Sequence, residues 1–281
     1  MALTADDRFA RGTVFRELHD GPAFVMPNAW DAGSARVLAS LGFPALATTS
    51  AGIAFGLGRR DGAGLVSRDE ALENARALVG ATALPVSADL EDCYATDVAG
   101  IADTVRAAAD AGLSGGSIED ASGDPQVGIR PIDEAVERVA AAAAAVRELP
   151  YPFTLTARAE NFLHGVADID DTITRLRAFA DAGADVLFAP GLPDLAAVGA
   201  VCRAVDKPVS FMAGVPGCSW TVAELADQGV TRISVGPALA LAAYGGLCRA
   251  AEEIAGSGSF GFVADSPGFG DIATLMAERL P

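Results

Sequence analysis

Four stretches of this chain repeat one pattern, in which an Ala-rich segment ends at a glycine and a short apolar run follows at once. They read LASLGFPAL, ADAGLSGGSI, ADAGADVLF and ADQGVTRISV. A glycine just past the last turn of a helix adopts the left-handed conformation that ends it. Each stretch therefore predicts a helix that leads directly into a strand, and a repeated unit of this kind is typical of an α/β protein with a parallel sheet.

Eight apolar runs have the length and composition of strands. They cover residues 23–28, 44–50, 85–91, 115–120, 152–160, 184–190, 208–214 and 231–237. Apolar and polar residues do not alternate strictly within them, which predicts strands buried on both faces. Eight strand–helix units predict a (β/α)8 TIM barrel, which usually takes about 250 residues. The alternative is an open, doubly wound sheet, but no G-x-G-x-x-G motif follows the first run.

The barrel is predicted to span residues 1–255. Helices are expected over Ala32–Leu41, from Ser67 onward, and over Asp97–Ala111, Ile132–Leu149, Ile169–Ala182, Leu192–Val205, Thr221–Gln228 and Ala238–Ile254. Residues 256–281 form a second unit, in which the flexible linker GSGSFGFVADSPGFG precedes an extra helix over Asp271–Leu280. That helix can pack on its own barrel or reach a neighbouring subunit.

Composition narrows the class of protein. The 281 residues are 51% hydrophobic, enough for one large core, and a net charge of −17 disfavours nucleic-acid or anionic-membrane partners. The four cysteines, Cys93, Cys202, Cys218 and Cys248, form no C-x-x-C pair, which is typical of reduced thiols in a cytoplasmic protein. No signal peptide or membrane span is predicted, because the apolar stretches are short and interrupted by charge.

Charged and hydroxyl side chains collect where strands 2 to 5 end, and barrels of this type carry their reactive groups at those ends. The groups are Thr49, Ser50 and Asp61 after strand 2, Asp89, Glu91 and Asp92 after strand 3, Glu119 and Asp120 after strand 4, and Arg158, Glu160 and Asn161 after strand 5. Strands 6 to 8 are expected to offer only apolar, Pro and Gly groups. Oxygen-only donors suit Mg²⁺ or Mn²⁺, whereas the absence of a His/Cys cluster disfavours zinc.

The segment VSADLEDC concentrates this negative charge. Asp89 and Glu91 lie two residues apart on an extended strand, so their side chains point the same way and need a positive partner. Together with Asp61 and Glu119 they predict a metal site. The simpler interpretation, a carboxylate that caps the next helix, is assigned to the remaining acids, Asp92, Asp97 and Asp120.

Other residues admit two interpretations. Arg158 is either a structural ion pair to Glu160 or Glu119, or a fork for a substrate carboxylate. Thr49 and Ser50 are either buried hydroxyls or donors to a substrate carboxylate or oxyanion. Cys93 is expected to be a packing residue, since acidic neighbours raise a thiol pKa. His164 either faces the mouth of the barrel or starts a helix, and the second interpretation is favoured.

Five segments together resemble the isocitrate lyase/phosphoenolpyruvate mutase superfamily, over nearly the whole chain. They are MPNAWDAGSARVLASLGFPALATTSAGIAFGLGRRDG, LPVSADLEDCYA, GGSIEDASG, LTARAENFLHG and GADVLFAPGL. The resemblance implies a (β/α)8 barrel whose last helix is swapped between paired subunits, usually in a tetramer built as a dimer of swapped dimers. It also implies Mg²⁺ chemistry on small 2-oxo or 2-hydroxy acids, through an enolate that the metal stabilises.

The resemblance assigns roles to individual positions. Asp89 is similar to the acid that binds Mg²⁺ directly, and Asp61, Glu91 and Glu119 to the acids that hold its water shell. Arg158 resembles the arginine beside the substrate carboxylate, with Glu119 and Asp61 as further catalytic groups. The remaining substrate contacts are expected from Thr49, Ser50, Ala51 and Asn161, with the register of the first three uncertain by about one residue.

One loop departs from the family. After the strand 4 acids, family lyases carry K-[KR]-C-G-H, whereas this chain reads ASGDPQVGIRP, without Cys, Lys, His or Asn. The expected activity is therefore that of an Mg²⁺-dependent carbon–carbon lyase or decarboxylase of the subgroup with a D-L-E strand 3, acting on a small 2-oxo or 2-hydroxy (di)carboxylic acid. The alternatives are a phosphonomutase or phosphonopyruvate hydrolase, and a non-catalytic 2-oxo acid-binding barrel. Gly123, Pro125 and Gly128 are predicted to let the short loop act as a lid.

Overall fold

A closed parallel sheet forms the centre of the molecule. The structure is a computed structural model that describes residues 3–123, 126–215 and 217–277. Its strands are β1 (Phe24–Val25), β2 (Leu46–Ala47), β3 (Val86–Asp89), β4 (Gly115–Glu119), β5 (Thr154–Arg158), β6 (Val186–Phe188), β7 (Val209–Met212) and β8 (Val230–Ser234). They pair in the order β1-β8-β7-β6-β5-β4-β3-β2, all parallel. A parallel bridge between Asn28 and Ala47 joins the two edges, so the sheet closes. The predicted (β/α)8 barrel is confirmed.

Helices alternate with these strands. They are α1 (Ala5–Glu17), α2 (Ala32–Ser40), α3 (Ser50–Gly56), α4 (Arg68–Ala81), α5 (Val98–Asp110), α6 (Ile132–Arg147), α7 (Ile169–Ala182), α8 (Leu195–Ala204), α9 (Val222–Asp227), α10 (Ala238–Ser257) and α11 (Phe269–Ala277). All eight predicted helices are present, and α7 has the predicted bounds. The sequence did not predict α1 and α3, because neither carries an apolar stripe of helical period.

The repeated glycines behave as predicted. Gly42, Gly112, Gly183 and Gly229 have φ angles of 81°, 91°, 110° and 98°. A side chain is strained in this left-handed region, so glycine is the residue that ends the helix and sends the chain into the next strand. The pattern that predicted the fold is therefore a backbone requirement at the four helix–strand junctions.

Helix α1 covers the end of the barrel at which the strands begin. Gly12 lies so close to the Pro152 carbonyl, just before β5, that no side chain could fit there. Phe15 is fully buried and contacts Gly115 at the start of β4. His19 follows α1 and packs edge-on between Phe15 and Phe24, with ring centroids 5.1 and 5.3 Å away. Aromatic side chains thus close the end of the barrel at which the strands begin.

The C-terminal segment after α10 contains a helical turn and one further helix. The Glu253 carboxylate accepts hydrogen bonds from the Ser259 hydroxyl and the Phe262 N–H, which fold the Gly/Ser-rich stretch into a helical turn over Gly261–Asp265. The division into a barrel over residues 1–255 and a flexible linker with an extra helix over residues 256–281 stays a prediction. Helix α11 starts two residues before the predicted Asp271 and is described to Ala277; Leu280 lies outside the described residues. It packs on α2 of its own chain, where Arg36 donates to the Met276 carbonyl at 2.6 Å.

The length and composition of the helices bear on whether one could span a membrane. In the ranges that the structure describes, none combines the length and the apolar character needed to cross a membrane.

Candidate active site

The carboxyl ends of the strands surround a cavity of about 270 Å³. Its mouth is formed by Thr49, Ser50, Ala51, Asp61, Asp89 and Arg158, and its inner wall carries Ser87, Ser117, Ser210, Ser234 and Arg232. Bulky branched side chains usually fill the inside of such barrels. The serines leave space instead, and the volume suits a small polar molecule.

Arg158 lies at the centre of the acidic groups. Its Nη1 is 2.8 Å from Asp89 Oδ1 and 3.2 Å from Glu119 Oε2, and its Nε donates to Glu160 Oε1 at 2.8 Å. Burial lowers the pKa of Arg158, but Glu160, Glu119 and Asp89 together raise it well above its ordinary value. The positive partner that VSADLEDC requires is therefore, in part, this guanidinium. Arg158 makes the ion pairs expected of a structural residue. It also lines the cavity, as a residue that binds a substrate carboxylate must.

One guanidinium does not neutralise the surrounding acids. Burial, then Asp89 and Asp61, raise the pKa of Glu91 to about 7. Burial and Asp89 raise the pKa of Asp61, and burial raises that of Glu119 well above its ordinary value although Arg158 opposes the shift. Perturbed pKa values clustered at one cavity are typical of functional sites; Asp61 lines this cavity, and Glu91 and Glu119 lie beside it.

The acids are not arranged as a direct cage for a metal. Within residues 3–123, 126–215 and 217–277, no three His, Cys, Asp or Glu side chains are grouped closely enough to hold one ion. Asp89 has room for direct contact, since it faces the cavity and is 3.5 Å from the Ser117 hydroxyl. An all-oxygen set with one direct carboxylate fits Mg²⁺, which keeps several of its waters.

The backbone after β3 is strained. Glu91, Cys93 and Tyr94 have φ angles of 49°, 63° and 51°. Left-handed conformations at non-glycine residues cost roughly 1–3 kcal/mol each and cluster at functional sites. They turn Glu91 back toward Asp89, whose Oδ1 accepts from the Glu91 N–H at 3.3 Å, and bring the Tyr94 hydroxyl to 3.3 Å from Glu91 Oε1. Cys93 is buried in the core with a thiol pKa raised by burial to about 12, in agreement with a packing role.

The predicted substrate cradle is the first turn of α3. Thr49 is its N-cap, and the Thr49 Oγ1 accepts from the Gly52 N–H at 3.3 Å. The N–H groups of Ser50 and Ala51 precede the first intrahelical hydrogen bond, so they have no partner within the helix. The Ser50 hydroxyl bonds Asp61, which links the cradle to the acids. Gly52 is required here, because a Cβ would lie 2.8 Å from Trp30 Cβ.

Asn161 is not brought to the cavity. It is fully buried, and its Nδ2 donates to Asp171 Oδ2 at 2.7 Å. The described cavity wall does not include it. The structure therefore shows Asn161 stabilising the start of α7, and we assign it no substrate contact.

Three local predictions at these strand ends are wrong. Asp92 is paired with Arg130 at 3.0 Å, and Asp120 accepts from the Glu160 N–H at 2.8 Å and from Arg175 at 3.0 Å, so neither caps a helix. Asp97 does cap α5, through the Gly100 N–H. The third wrong prediction concerns His164, which lies in a turn, while α7 starts later behind its N-cap Asp168. Both misplaced aspartates serve tertiary ion pairs, which local spacing cannot reveal.

The prediction that the ends of strands 6 to 8 offer only apolar, Pro and Gly groups is wrong for β8, which ends at Ser234. Ser210 on β7 and Arg232 and Ser234 on β8 face the cavity. The signal was present in TRISVGP, where Arg232 and Ser234 lie two residues apart, on either side of the apolar Ile233. Residues with that spacing share one face, and in a closed barrel that face is the interior.

The loop after β4 forms a short hairpin. Ala121 and Ile129 pair as an antiparallel bridge, and the Ser122 N–H donates to the Gly128 carbonyl at 2.8 Å. Gly123 and Gly128 have left-handed φ angles of 70° and 67°. Pro125, part of the predicted lid, lies outside the described residues. Whether the hairpin moves over the cavity stays a prediction.

Comparison with known proteins agrees with this geometry. A protein of Burkholderia cenocepacia J2315 described as a lyase or mutase is 49% identical, with a TM-score of 0.95 over 99% of this chain and 100% of that one. An uncharacterised protein of Mycobacterium tuberculosis (strain H37Rv) is 35% identical over 228 residues, 79% of this chain and 81% of its own length. The oxaloacetate decarboxylase of Bradyrhizobium diazoefficiens is 30% identical over 215 residues, 74% of this chain and 72% of its own.

The family model described as phosphoenolpyruvate phosphomutase matches residues 15–255, which include all eight strands and every acid around Arg158. Members of the wider superfamily are lyases or mutases and typically use a divalent metal. The barrel, the position of its acids and this match lead to one conclusion: the chain belongs to the phosphoenolpyruvate phosphomutase family, within the isocitrate lyase/phosphoenolpyruvate mutase superfamily of enzymes.

Proposed function

We propose that this protein is a divalent-metal-dependent lyase that acts on a small 2-oxo or 2-hydroxy acid. It either cleaves a C–C bond of that acid or decarboxylates it. The observation that carries the proposal is the position of Arg158, held by three carboxylates at the wall of a cavity of about 270 Å³. Relatives named oxaloacetate decarboxylase and 2-methylisocitrate lyase support this reaction class. So does 2,3-dimethylmalate lyase.

The acids fit a bound Mg²⁺, with Mn²⁺ as a substitute. Asp89 would be its direct ligand, and Asp61, Glu91 and Glu119 would hold its waters. Burial raises the pKa of each of these three acids first, and Asp89 raises it further, so each lies close enough to Asp89 to hold the waters of an ion bound there. When bound, the metal supplies Lewis-acid stabilisation of developing negative charge.

The residues of the chain perform the remaining tasks. The N–H groups of Ser50 and Ala51, with the Thr49 hydroxyl, bind the substrate carboxylate next to the 2-oxo or 2-hydroxy carbon. Arg158 donates hydrogen bonds to the oxygen that gains charge as the C–C bond breaks and its electron pair moves toward that oxygen. Glu160, which is 2% exposed, positions Arg158 through its Nε. The buried ion pairs thus fix the guanidinium before substrate arrives.

The loop after β4 bears on the choice between lyase and phosphoryl chemistry. Residues 121–131 contain no Cys, Lys, His or Asn, the groups on which the family's usual lyase and phosphoryl chemistries depend. This disfavours phosphonomutase and phosphonopyruvate hydrolase activity, since the machinery that remains serves an enolate-type reaction. A non-catalytic 2-oxo acid-binding barrel is the third candidate, and turnover separates it from the others.

An NMR time course tests the proposal. The full-length protein with Mg²⁺ is incubated separately with oxaloacetate, phosphonopyruvate, phosphoenolpyruvate, methylisocitrate and isocitrate. Conversion of a 2-oxo or 2-hydroxy acid by C–C cleavage, lost on EDTA treatment and restored by Mg²⁺, is the expected result. Phosphate release from phosphonopyruvate would establish C–P chemistry instead. Saturable binding of an acid with no product from any compound would favour the binding barrel.

We also propose that the C-terminal helix is exchanged between paired subunits of a cytoplasmic oligomer. Helix α10 is long but buries only Ala240, and Leu247, Phe260, Val263 and Phe269 are 60% exposed or more. Apolar side chains exposed together mark a contact surface. The contact between α11 and α2 seen within one chain supplies the docking site that an exchanged α11 would use.

The four free cysteines fit a reducing compartment.

Deleting residues 266–281 is expected to dissociate or destabilise this oligomer. The deletion removes α11 and uncovers the surface of α2 around Arg36, so the paired subunits lose their exchanged contact. Light scattering gives the mass and thermal unfolding gives the stability. Retention of both the full-length mass and the full-length melting temperature would show that the segment is not an exchanged element.

A further inference from the structure

The floor of the cavity holds a second guanidinium, that of Arg232, which the proposed reaction does not use. Arg232 is 3% exposed and lines the same cavity as Asp89 and Arg158. Its Nε donates to Ser210 Oγ at 3.1 Å, and its Nη2 donates to Thr156 Oγ1 at 2.8 Å. The side chain therefore reaches from β8 across the interior to β5.

The protein partners of Arg232 are all neutral. Its Nη1 is 3.3 Å from His19 Nε2, and His19 Nδ1 is 2.8 Å from the Phe15 carbonyl oxygen. The Nδ1 must therefore carry the proton, and Nε2 accepts from Arg232. Burial, and then the charge of Arg232, lower the pKa of His19 to about 4, so the ring stays uncharged at neutral pH.

Arg232 differs in this respect from Arg158. Among the residues that the structure describes, no carboxylate lies within ion-pair distance of Arg232, and burial lowers its pKa to about 9. Arg158 has three such carboxylates. A buried charge without a counter-charge is costly, and proteins retain one where a ligand or an ion completes it. The charge of Arg232 is therefore available to an anion that enters the cavity.

The depth of Arg232 matches the length of a small acid. Thr156 lies two residues before Arg158 on β5, and Arg232 two residues before Ser234 on β8, so the floor guanidinium is roughly 7 Å below the mouth. Ser210 contacts Arg232 at the floor, the Ser117 hydroxyl is 3.5 Å from Asp89 Oδ1 at the mouth, and Ser234 also lines the cavity. This spacing leaves room for a short carbon chain with a polar group at each end.

We propose that Arg232 binds the second carboxylate of a dicarboxylic substrate, and so makes the enzyme selective for diacids over monoacids. The first carboxylate and the 2-oxo or 2-hydroxy group lie at the mouth, beside α3 and Arg158. This inference rests on the proposed function and adds to it the residue that would select the diacid. A guanidinium suits the task, since it donates two parallel hydrogen bonds to one carboxylate.

Malate and lactate test the inference, since both are 2-hydroxy acids and malate has one more carboxylate. Binding is measured by calorimetry with Mg²⁺ for the full-length protein, Arg232→Gln and Arg232→Lys, with melting temperatures as the folding control. The unsubstituted protein is expected to prefer malate about 10-fold to 100-fold, as a charge-assisted hydrogen bond would give. Arg232→Gln should lose that preference while its lactate affinity stays within about twofold, and Arg232→Lys should keep part of it.

Several outcomes would overturn the inference. Equal affinity of the unsubstituted protein for the two acids would do so without any variant, even if Arg232→Gln failed to fold. So would a malate preference that survives in Arg232→Gln. A free inorganic anion at this site would raise the melting temperature with added chloride only when Arg232 is present, and leave no malate preference. If neither acid binds, turnover separates the two proposals. Without turnover of any 2-oxo acid, the proposed function fails; with turnover, only the role of Arg232 fails.

Discussion

Replacement of Asp89 by alanine is expected to abolish turnover and the metal dependence of ligand binding. Asp89 is the proposed direct ligand of Mg²⁺ and also contacts Arg158 at 2.8 Å. Loss of a group that merely orients metal ligands lowers metal affinity about 10-fold to 100-fold, so loss of the ligand itself should exceed that range. Calorimetry with Mg²⁺, and the NMR assay with the converted acid, measure the two effects.

The fold should survive this substitution. Arg158 keeps Glu119 and Glu160 as partners, so no buried charge is left alone. Asp97→Ser is a matched control, because Asp97 caps α5 at the same side of the barrel and serine is also a good cap. That control should keep turnover and Mg²⁺ affinity. Undiminished Mg²⁺ dependence in the Asp89→Ala protein would refute the metal assignment.

Replacement of Arg158 by lysine is expected to remove most substrate affinity, by about 100-fold, because a planar fork becomes a point charge. The lysine still offers a cation to Asp89, Glu119 and Glu160, so the loss of stability should be small. Arg158→Gln should behave differently. It leaves Glu160 and Glu119 buried without a counter-charge, which costs about 3–5 kcal/mol in the free energy of unfolding.

Denaturant unfolding and substrate calorimetry on the same two variants separate the roles of Arg158. A lysine variant that folds normally but binds poorly means that Arg158 contacts the substrate. Affinity equal to that of the unsubstituted protein would mean that Arg158 acts only through its ion pairs. Glu137→Gln, at a position on α6 away from the cavity wall, is a control for the loss of one charge.

Much of the candidate site could be predicted from local sequence. Strands of a parallel barrel present their carboxyl ends at one rim, so Asp89, Glu119 and Arg158 had to approach one another once eight strands were recognised. The glycines at helix exits were equally predictable, since their left-handed φ angles are a local requirement. In the structure these three side chains are in direct contact, through the ion pairs from Arg158 to Asp89 and to Glu119.

Other features depended on contacts between distant segments. Asp92 and Asp120 have the spacing of helix caps, but each forms an ion pair with an arginine from another segment. The pairs are Asp92–Arg130 and Asp120–Arg175. A charge-assisted bond inside the protein is stronger than a cap exposed to water. Asn161 was drawn to Asp171 for the same reason, and away from the cavity.

The sequence by itself determined the (β/α)8 barrel, its helix–strand junctions and the rim that holds the acids, because periodicity and backbone geometry act over a few residues. Only the tertiary structure decided that Arg158 lies among three carboxylates, whereas Arg232 lies beneath them with none. The physical reason is that the state of a buried charge depends on which groups the closed barrel brings within about 4 Å, where Coulomb energy is large.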